Sequence, residues 1–513
     1  MERSTAAGLY TKLSSKRDSY LRRGRDVAKV TIPHLLTEEG HSHSTKLATP
    51  YQSVGARGIS NLASKLLLSL LPPSQPFFRL QVDPFTLEQL TGMEDARTEV
   101  EASLAEIENA VHGEIEALAL RVPVFEALKQ LVVCGNALMY MPEEGTMRVY
   151  KMDRYVVQRD YKGDIETIVI KETISPSALP EEVRAMLPSE STGGSEDGVD
   201  IYTCVHRSDK DNYEVWQEAA GETVESTMGT FKADKLPYMA LRMNAVTGMD
   251  YGYGYAVELL GDLQSLEALS QAMIEGAAAA SKVLFLVDPA SPTRARTLAE
   301  APNGAIREGR ADDVSVVTLG SKAADMRIAY EAINNISERL GYSFMLNTSV
   351  QRQGERVTAE EIRYMIQELE AQLAGQYSIL SQELQMKLVT LVMDRMKSQG
   401  RLPKIPKDIV KPTVVTGIEA LGRGQDLTRL DVFIAGAMQT FGPEMLNQYL
   451  DIRDYLERRA TALGLPMKGL VKTEEQIQQE TQQNQMQGMV QQFGPQVLDM
   501  AQKNMEAPTP EEG

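Results

Sequence analysis

The residue types that most often carry chemistry are thinly spread in this 513-residue chain, which has five histidines and two cysteines. His41 and His43 stand close together in a polar stretch. They lack Cys or carboxylate partners at metal-ligand spacing, so they read as loop residues. Gly55-Ala-Arg-Gly58 has the glycines of a phosphate loop but not the Gly-Lys-Ser/Thr end that grips phosphate and Mg²⁺, and it reads as a tight turn and helix entry. Asp164, Glu166 and Lys171 suggest a nuclease strand, yet Glu166 and Lys171 are separated by an odd number of residues and point to opposite faces of a regular strand. Gly422-Arg-Gly424 is too short for a dinucleotide fingerprint. No HExxH, zinc-type Cys/His cluster, GxSxG or Walker A sequence occurs, and no histidine adjoins a plausible nucleophile. The chain is therefore expected to be no enzyme and to need no metal or cofactor.

Charge is placed for contact instead. Asn347–Val357 is polar and basic, with Arg352, Gln353, Gly354 and Arg356 at its centre. Between Arg242 and Lys282 there is no Lys or Arg at all, while Glu258, Asp262, Glu267 and Glu275 recur along one helical pattern. The plain meaning of that run is an acidic solvated face beside a packing face. The sharper meaning is a helix that faces DNA without holding it, since like charges repel. A third group, Arg294, Arg296, Arg307 and Arg310, forms a basic segment within residues 282–319. The N-terminal run Arg17, Arg22, Arg23, Arg25 and Lys29 reads as the solvated face of an amphipathic helix rather than a DNA contact.

The elements that must position these charges can be drawn from periodicity. From Thr358 to Lys397 no proline interrupts a stripe of Ile362, Met365, Ile366, Leu369, Leu373, Leu380, Leu384, Leu388 and Leu391. Thr358 and Glu361 have capping-box spacing. Such a helix is roughly 60 Å long at 1.5 Å per residue. A helix is expected within 48–71, its stripe of Leu62, Leu66, Leu67, Leu70 and Leu71 ended by Pro72-Pro73, and further helices over 87–120, 124–135, 254–281 and 321–340. Residues 137–243 carry short alternating runs, ALMYMP, MRVYKM, YVVQRD, ETIVIKE, DIYTCVHR, NYEVWQE and PYMALRM, and read as a mostly antiparallel β region with a loop at 187–198. Residues 282–319 hold two strands, VLFLV and VSVVTL, in a compact insert between two helices. After Gly400 comes a proline-punctuated linker, then helix over 426–463, a Gln/Met-rich stretch and an acidic tail.

Length calls for several domains. Two distant cysteines exclude a disulfide framework. No apolar run approaches the ~20 residues of a membrane span. The formal charge of −18 is unlike that of a general nucleic-acid binder, whose affinity comes from neutralising phosphates. It suits a surface that lets DNA slide past, and equally a protein that meets no nucleic acid.

Six stretches carry a resemblance: TPYQSVGARGISNLASKLLLSLLP (49–72), VFEALKQLVVCGNAL (124–138), YVVQRD (155–160), FMLNTSVQRQGERVTAEEIRYMIQELE (344–370), YSILSQELQ (377–385) and TGIEALGRGQDL (416–427). In these, in this order, the chain resembles the portal, or head-to-tail connector, proteins of short-tailed podoviruses of the autographivirus type. The resemblance implies an α+β, mostly helical portal fold: a wing over 1–253, β-rich at 137–243; stem helices at 254–281 and 321–345; a clip at 282–320; a tunnel loop at 346–357; a long wing helix at 358–402; a crown at 403–500; and a disordered tail at 501–513. It implies a homo-oligomeric ring of about twelve copies closed by heterologous contacts, set at a capsid vertex of the virion after assembly in the host cytoplasm. The expected partners are the terminase motor, a tail adaptor at the clip through Arg294, Arg296, Arg307 and Arg310, major capsid and scaffolding proteins, and internal core proteins at the crown. Double-stranded DNA would pass without sequence specificity and without any membrane contact, met by Arg352, Gln353, Gly354 and Arg356 in the tunnel loop and by the acids Glu258, Asp262, Glu267 and Glu275 in the stem. A non-ring virion scaffold or adaptor, or a DNA-processing enzyme with an unrecognised site, is the alternative. The wide stripe over 362–391 disfavours a simple coiled-coil scaffold.

Overall fold

A computed structural model describes residues 5–38, 46–73, 77–81, 94–186, 198–280, 284–291, 293–302, 305–306, 308, 310–317, 323–346, 364, 367–369, 371–373, 376–402, 413–416, 431–442, 450, 452, 455–456 and 459. The chain divides into two units, Met1–Gln89 with Ala110–Ala420, and Leu90–Asn109 with Leu421–Gly513. The long helices are α1 (Ala6–Lys29), α2 (Val54–Leu70), α3 (Glu94–Ala117), α4 (Arg121–Cys134), α5 (Leu260–Ala280), α6 (Ala323–Ser343) and α7 (Lys387–Ser398). The fold is α+β with helices predominating.

The strands are β1 (Phe78–Gln81), β2 (Asn136–Tyr140), β3 (Arg148–Tyr150), β4 (Tyr155–Arg159), β5 (Ile165–Ile174), β6 (Val199–Arg207), β7 (Asn212–Ala219), β8 (Glu222–Lys232), β9 (Tyr238–Arg242), β10 (Asn244–Ala245), β11 (Gly252–Tyr253), β12 (Leu284–Val287), β13 (Val314–Val317) and β14 (Thr413–Thr416). The β region is not one sheet. It splits into a three-stranded sheet, β3-β2-β9, and a five-stranded meander, β4-β5-β6-β7-β8. β8 is absent from the sequence-based expectation because its text, ETVESTMGTFK, is polar. It is an outer strand whose residues are mostly exposed, so little apolar alternation is required of it. The turn before it, Ala220-Gly221, has φ of 52° and 87°, the pair of positive angles a two-residue hairpin needs. The stretch expected to be a proline-punctuated linker contains β14, which pairs antiparallel with β1.

Helix α1 lies on the five-stranded sheet. Its Ala6 and Leu13 pack with Val156, Val169, Cys204 and Trp216. The basic run of α1 is not wholly a solvated face. Arg17 is buried, and its guanidinium donates to the Tyr10 hydroxyl at 2.9 Å and to the carbonyls of Asp153 and Tyr155 at 2.9 and 3.2 Å. A buried cation surrounded by carbonyl acceptors ties helix to sheet rather than repelling it.

Helix α2 buries Ile59, Leu62, Leu66 and Leu70 at helical spacing. It begins at Val54, so Gly55 and Gly58 lie within the helix and form no turn. Their lack of a side chain serves packing: a Cβ on Gly58 would come within 2.5 Å of Phe344, and one on Gly55 within 2.7 Å of Thr31. Helix α4 is core, as its apolar text requires, with Val124, Leu128, Leu131, Val132 and Val133 fully buried. It ends at Gly135, left-handed at φ 79°, whose amide donates to the Leu131 carbonyl at 2.9 Å. The backbone of Tyr253 and Gly254 crosses here, and a Cβ on Gly135 would lie 2.2 Å from the Tyr253 carbonyl carbon. Buried Asn136 beside it exchanges two hydrogen bonds of 2.8 Å with the backbone of Gly252. That amide pair fixes the entry into the helical stretch that follows.

The stretch expected as one helix over 254–281 has a break: Tyr255–Glu258 forms one turn, and α5 starts at Leu260. Helices α5 and α6 run antiparallel, since Asp262 meets Arg339 at one end and Gly276 faces Met326 at the other. Between them β12 and β13 pair antiparallel beside a short helix, Ala295–Ala299.

The long helix is where expectation and structure differ most. Thr358, Glu361, Ile362, Met365 and Ile366 lie outside the described residues, as do His41, His43 and 187–197. The described part is α-helical at Gln376–Leu380 and again in α7, but Ser381–Met386 is a π-helical turn. Leu369, Leu373, Leu380, Leu384 and Leu388 are fully buried, as the stripe requires. Polar groups hold the wider turn: Ser381 donates to the Gln385 side chain, and Gln385 Nε2 donates to the Leu70 carbonyl at 2.5 Å. Tyr377 donates to the Ser69 carbonyl at 3.1 Å. Periodicity could not show a π turn, because its one extra residue leaves the leucine spacing helical on both sides.

In the second unit, residues 431–442 are helical and expose Val432, Phe433, Met438 and Phe441. Asp431 accepts from the Tyr455 hydroxyl at 2.9 Å and pairs with Arg459 at 3.1 Å.

Gly135 and Gly221 both have positive φ, but only Gly135 is crowded. In urea unfolding, Gly135→Ala is expected to lose roughly 1–3 kcal/mol more than Gly221→Ala, the usual cost of overpacking.

Candidate functional site

The four acids of the helix pair all have partners within the chain. Asp262 accepts from Arg339 of α6 at 2.7 Å. Glu267 accepts the backbone amides of Tyr51 and Gln52, at 2.8 and 3.2 Å, and so anchors the approach to α2. Glu258 accepts from Asn244 at 3.1 Å and Glu275 from Gln271 at 2.9 Å. Asp262 and Glu267 thus bind their own chain as well as contributing negative charge. Beyond Leu266 the faces of α5 open to solvent, with Ile274 half exposed.

The insert keeps its cations outside. Arg294, Arg296 and Arg310 are exposed, and Arg296 pairs with Glu300 one turn on at 2.9 Å. Arg307 lies outside the described residues, as do Arg352, Gln353, Gly354 and Arg356. Glu166 and Lys171 part company as expected: Glu166 accepts from Gln158 at 2.9 Å, and Lys171 pairs with Asp200 at 2.7 Å.

The chain leading up to Leu346 is firmly built. Helix α6 ends in a left-handed cap. Met345 has φ 55°, its amide donates to the Tyr342 carbonyl at 3.0 Å, and the Leu346 amide donates to the Gly341 carbonyl at 2.7 Å. This is a Schellman arrangement with methionine where glycine is usual. A side chain at positive φ is costly and needs fixed surroundings to persist. Helix α2 supplies them. Phe344 is fully buried against Gly58. Asn61 Nδ2 donates to the carbonyls of Phe344 and Met345 at 3.0 and 3.1 Å. Lys65 Nζ donates to the same Met345 carbonyl at 3.2 Å. The Tyr255 hydroxyl holds the Ser343 carbonyl at 2.9 Å. Lys65 also faces Glu368 at 3.6 Å, on the far side of the 347–357 segment. Burial pushes the Lys65 ammonium down, opposed by Glu368.

Asn61, Lys65, Met345 and Glu368 escaped the sequence-based search. One cue was present: Lys65 is a lone cation in LASKLLLSLL, on the same helical side as Leu62, Leu66 and Ser69.

A cleft of about 470 Å³, lined by charged and apolar side chains together, lies between the β4–β5 turn, β9 and the π turn. Arg159 donates across it to the carbonyls of Gly163 and Ala240 at 2.9 and 2.7 Å, and burial with Arg242 nearby pushes it down to about 10. Burial raises Glu383 against the pull of Arg159 and Arg242. Lys387 donates to the carbonyls of Ala233 and Asp234 at 2.8 and 2.7 Å and is pushed down to about 8 by burial. Among the described residues no group of three or more His, Cys, Asp or Glu could hold a metal ion, and no helix is long and apolar enough to cross a membrane. Cys134 and Cys204 are buried and unbridged, and burial pushes the Cys134 thiol up to about 12.

Residues 3–471 match the family model described as "Bacteriophage head to tail connecting protein". The chain belongs to that family. Its curated relatives include the portal proteins of Escherichia phage T7, 40% identical over 94% of this chain and 91% of the relative, and of Enterobacteria phage T3, 40% identical over 92% and 89%. The portal protein of Enterobacteria phage SP6 is 30% identical over 94% and 92%. Among solved structures, the neck of an empty gene transfer agent particle is similar at 12% identity, covering 86% of this chain and 94% of that one, with a TM-score of 0.36. Membership in the connector family rests on the sequence relatives.

The cleft gives this connector chain a distinct pH signature. Folded, Lys387 releases its proton near pH 8, whereas the unfolded chain holds it to about 10.4. The unfolded state therefore binds more protons in that window, and this site's contribution to stability rises with pH. Urea unfolding at pH 7.5 and pH 10 should show native stability gaining on that of Lys387→Met as pH rises. An equal gap at both values would contradict a depressed Lys387.

Proposed function

We infer that this chain builds the portal of a phage capsid: a ring at one vertex, the channel through which the genome is packaged and ejected, and the point where the tail attaches. The observation that carries this is 40% identity, across nearly the whole length of both chains, to portal proteins of T7 and T3. The chain acts as a conduit and makes or breaks no bonds.

In the finer assignment, residues 1–253 form the wing, 254–281 and 321–345 the stem, 282–320 the clip, 346–357 the tunnel loop, 358–402 the long wing helix and 403–500 the crown. The antiparallel packing of α5 on α6, with the β12–β13 insert between them, supports the order stem, clip, stem. The exposure of Arg294, Arg296 and Arg310 supports a clip that meets the terminase motor and then a tail adaptor. Capsid and scaffolding proteins would surround the wing, and internal core proteins would meet the crown, whose helix at 431–442 carries exposed phenylalanines. About twelve copies closed by heterologous contacts are expected. DNA would meet Arg352 and Arg356 on the tunnel loop as local phosphate contacts within an otherwise negative tube, and phosphate contacts carry no sequence information. The acids of the stem would keep the rest of the wall from holding it.

Negative-stain images of the purified chain should show closed rings with a central hole; monomers or rods would refute the ring. Arg352→Glu with Arg356→Glu should leave rings intact and reduce packaged DNA, and normal packaging would remove the arginines from the mechanism. Deleting 282–319 should spare ring assembly and abolish tail attachment, and attached tails would refute the clip assignment.

A further inference from the structure

We propose that Lys65 is a positioning residue for DNA passage: from helix α2 it ties the chain entering residues 347–357 to the helix that follows them, through one bond to the Met345 carbonyl and one ion pair to Glu368. The proposal rests on the assignment of 346–357 to the channel.

Three observations converge on it. Lys65 is buried at 6% exposure beside Leu62 and Leu66 of its own helix, a poor place for an ammonium unless its bonds are needed. Its acceptors come from opposite sides of one segment: the Met345 carbonyl at 3.2 Å just before it, and Glu368 Oε2 at 3.6 Å after it. The first acceptor belongs to a residue held against its backbone preference, at φ 55°. Asn61 shares that carbonyl but reaches only the near side. Lys65 thus joins Met345 and Glu368, on the two sides of that span in sequence, to α2. Arg352 and Arg356 lie inside that span in sequence, so their distance from the wall would depend on how its ends are held. The clamp also accounts for Gly58. Without a Cβ there, Phe344 can sit against α2, and Met345 comes within reach of Lys65.

The test must separate positioning from stability. Removing the ammonium alone would leave the half-buried Glu368 without its lysine, so the variant to use is Lys65→Met with Glu368→Gln, which takes away both charges together. Ring assembly and thermal unfolding are measured first, and both should stay close to native. Limited trypsin digestion of the rings then reads the segment itself: cleavage after Arg352 and Arg356 should speed up about tenfold, because a loosened anchor opens the local chain more often. Capsids assembled with this variant should retain about tenfold less nuclease-protected DNA, the scale of loss that misplacement of a contact causes. Glu368→Gln alone keeps the bond to Met345 and should fall between native and the double variant in both measurements. Unchanged trypsin cleavage in the double variant would overturn the clamp. Faster cleavage with normal DNA retention would overturn its role in passage. Failure of the channel assignment is read separately, from normal packaging by Arg352→Glu with Arg356→Glu in chains that keep Lys65.

Discussion

The close approach of helix α2 to the last turn of α6 is the contact on which the rest of the first unit is arranged. It is possible because Gly58 presents no Cβ to Phe344. Once those backbones are near, Asn61 and Lys65 can satisfy carbonyls that the end of α6 leaves without intrahelical partners. The same helix offers the carbonyls of Ser69 and Leu70 to Tyr377 and Gln385. Glu267 of α5 secures the chain that enters α2. One helix therefore gathers both helices that flank the insert and the helix with the π turn. The apolar stripe of α2 supplies the burial energy, while polar groups at its edges supply direction.

Much of this was legible in the text of the chain. The leucine stripe of α2, the apolar body of α4 and the insert between two helices follow from periodicity and from Pro72-Pro73, because burial on one face leaves a mark at fixed intervals. What could not be read has physical causes. β8 needs little apolar alternation on an outer edge. The π turn hides within regular leucine spacing. Arg17 looks like any surface arginine, since nothing in a sequence says which carbonyls will converge on a guanidinium. The acids of α5 were visible as a charge pattern, but their intrachain partners, Arg339 and the amides of Tyr51 and Gln52, come from segments far away in the chain. Function was legible mainly through family resemblance, because a conduit has no catalytic spacing to find.

Conduits also change the meaning of charge. The formal total of −18 disfavours adhesion to DNA without specifying any site. Asp262 and Glu267 show that an acidic pattern and a stable scaffold can use the same carboxylates. An acid that binds its own chain is held at a fixed position, and it keeps at least part of its outward field.

The π turn at Ser381–Met386 has a geometric consequence for the helix that contains it. A π turn holds one residue more than the α-helical turn it replaces. If that surplus residue were drawn into regular α-helix, everything on one side of the turn would rotate by about 100° and shift by about 1.5 Å relative to the other. The residues on the N-terminal side include Glu368, Leu369 and Leu373, and those on the other side include Val389 and Val392. The two halves are therefore phased independently, like two combs joined by an adjustable tooth. With the turn as it stands, Leu369 and Leu373 before it and Leu388 after it are all buried, so both halves turn their apolar sides inward.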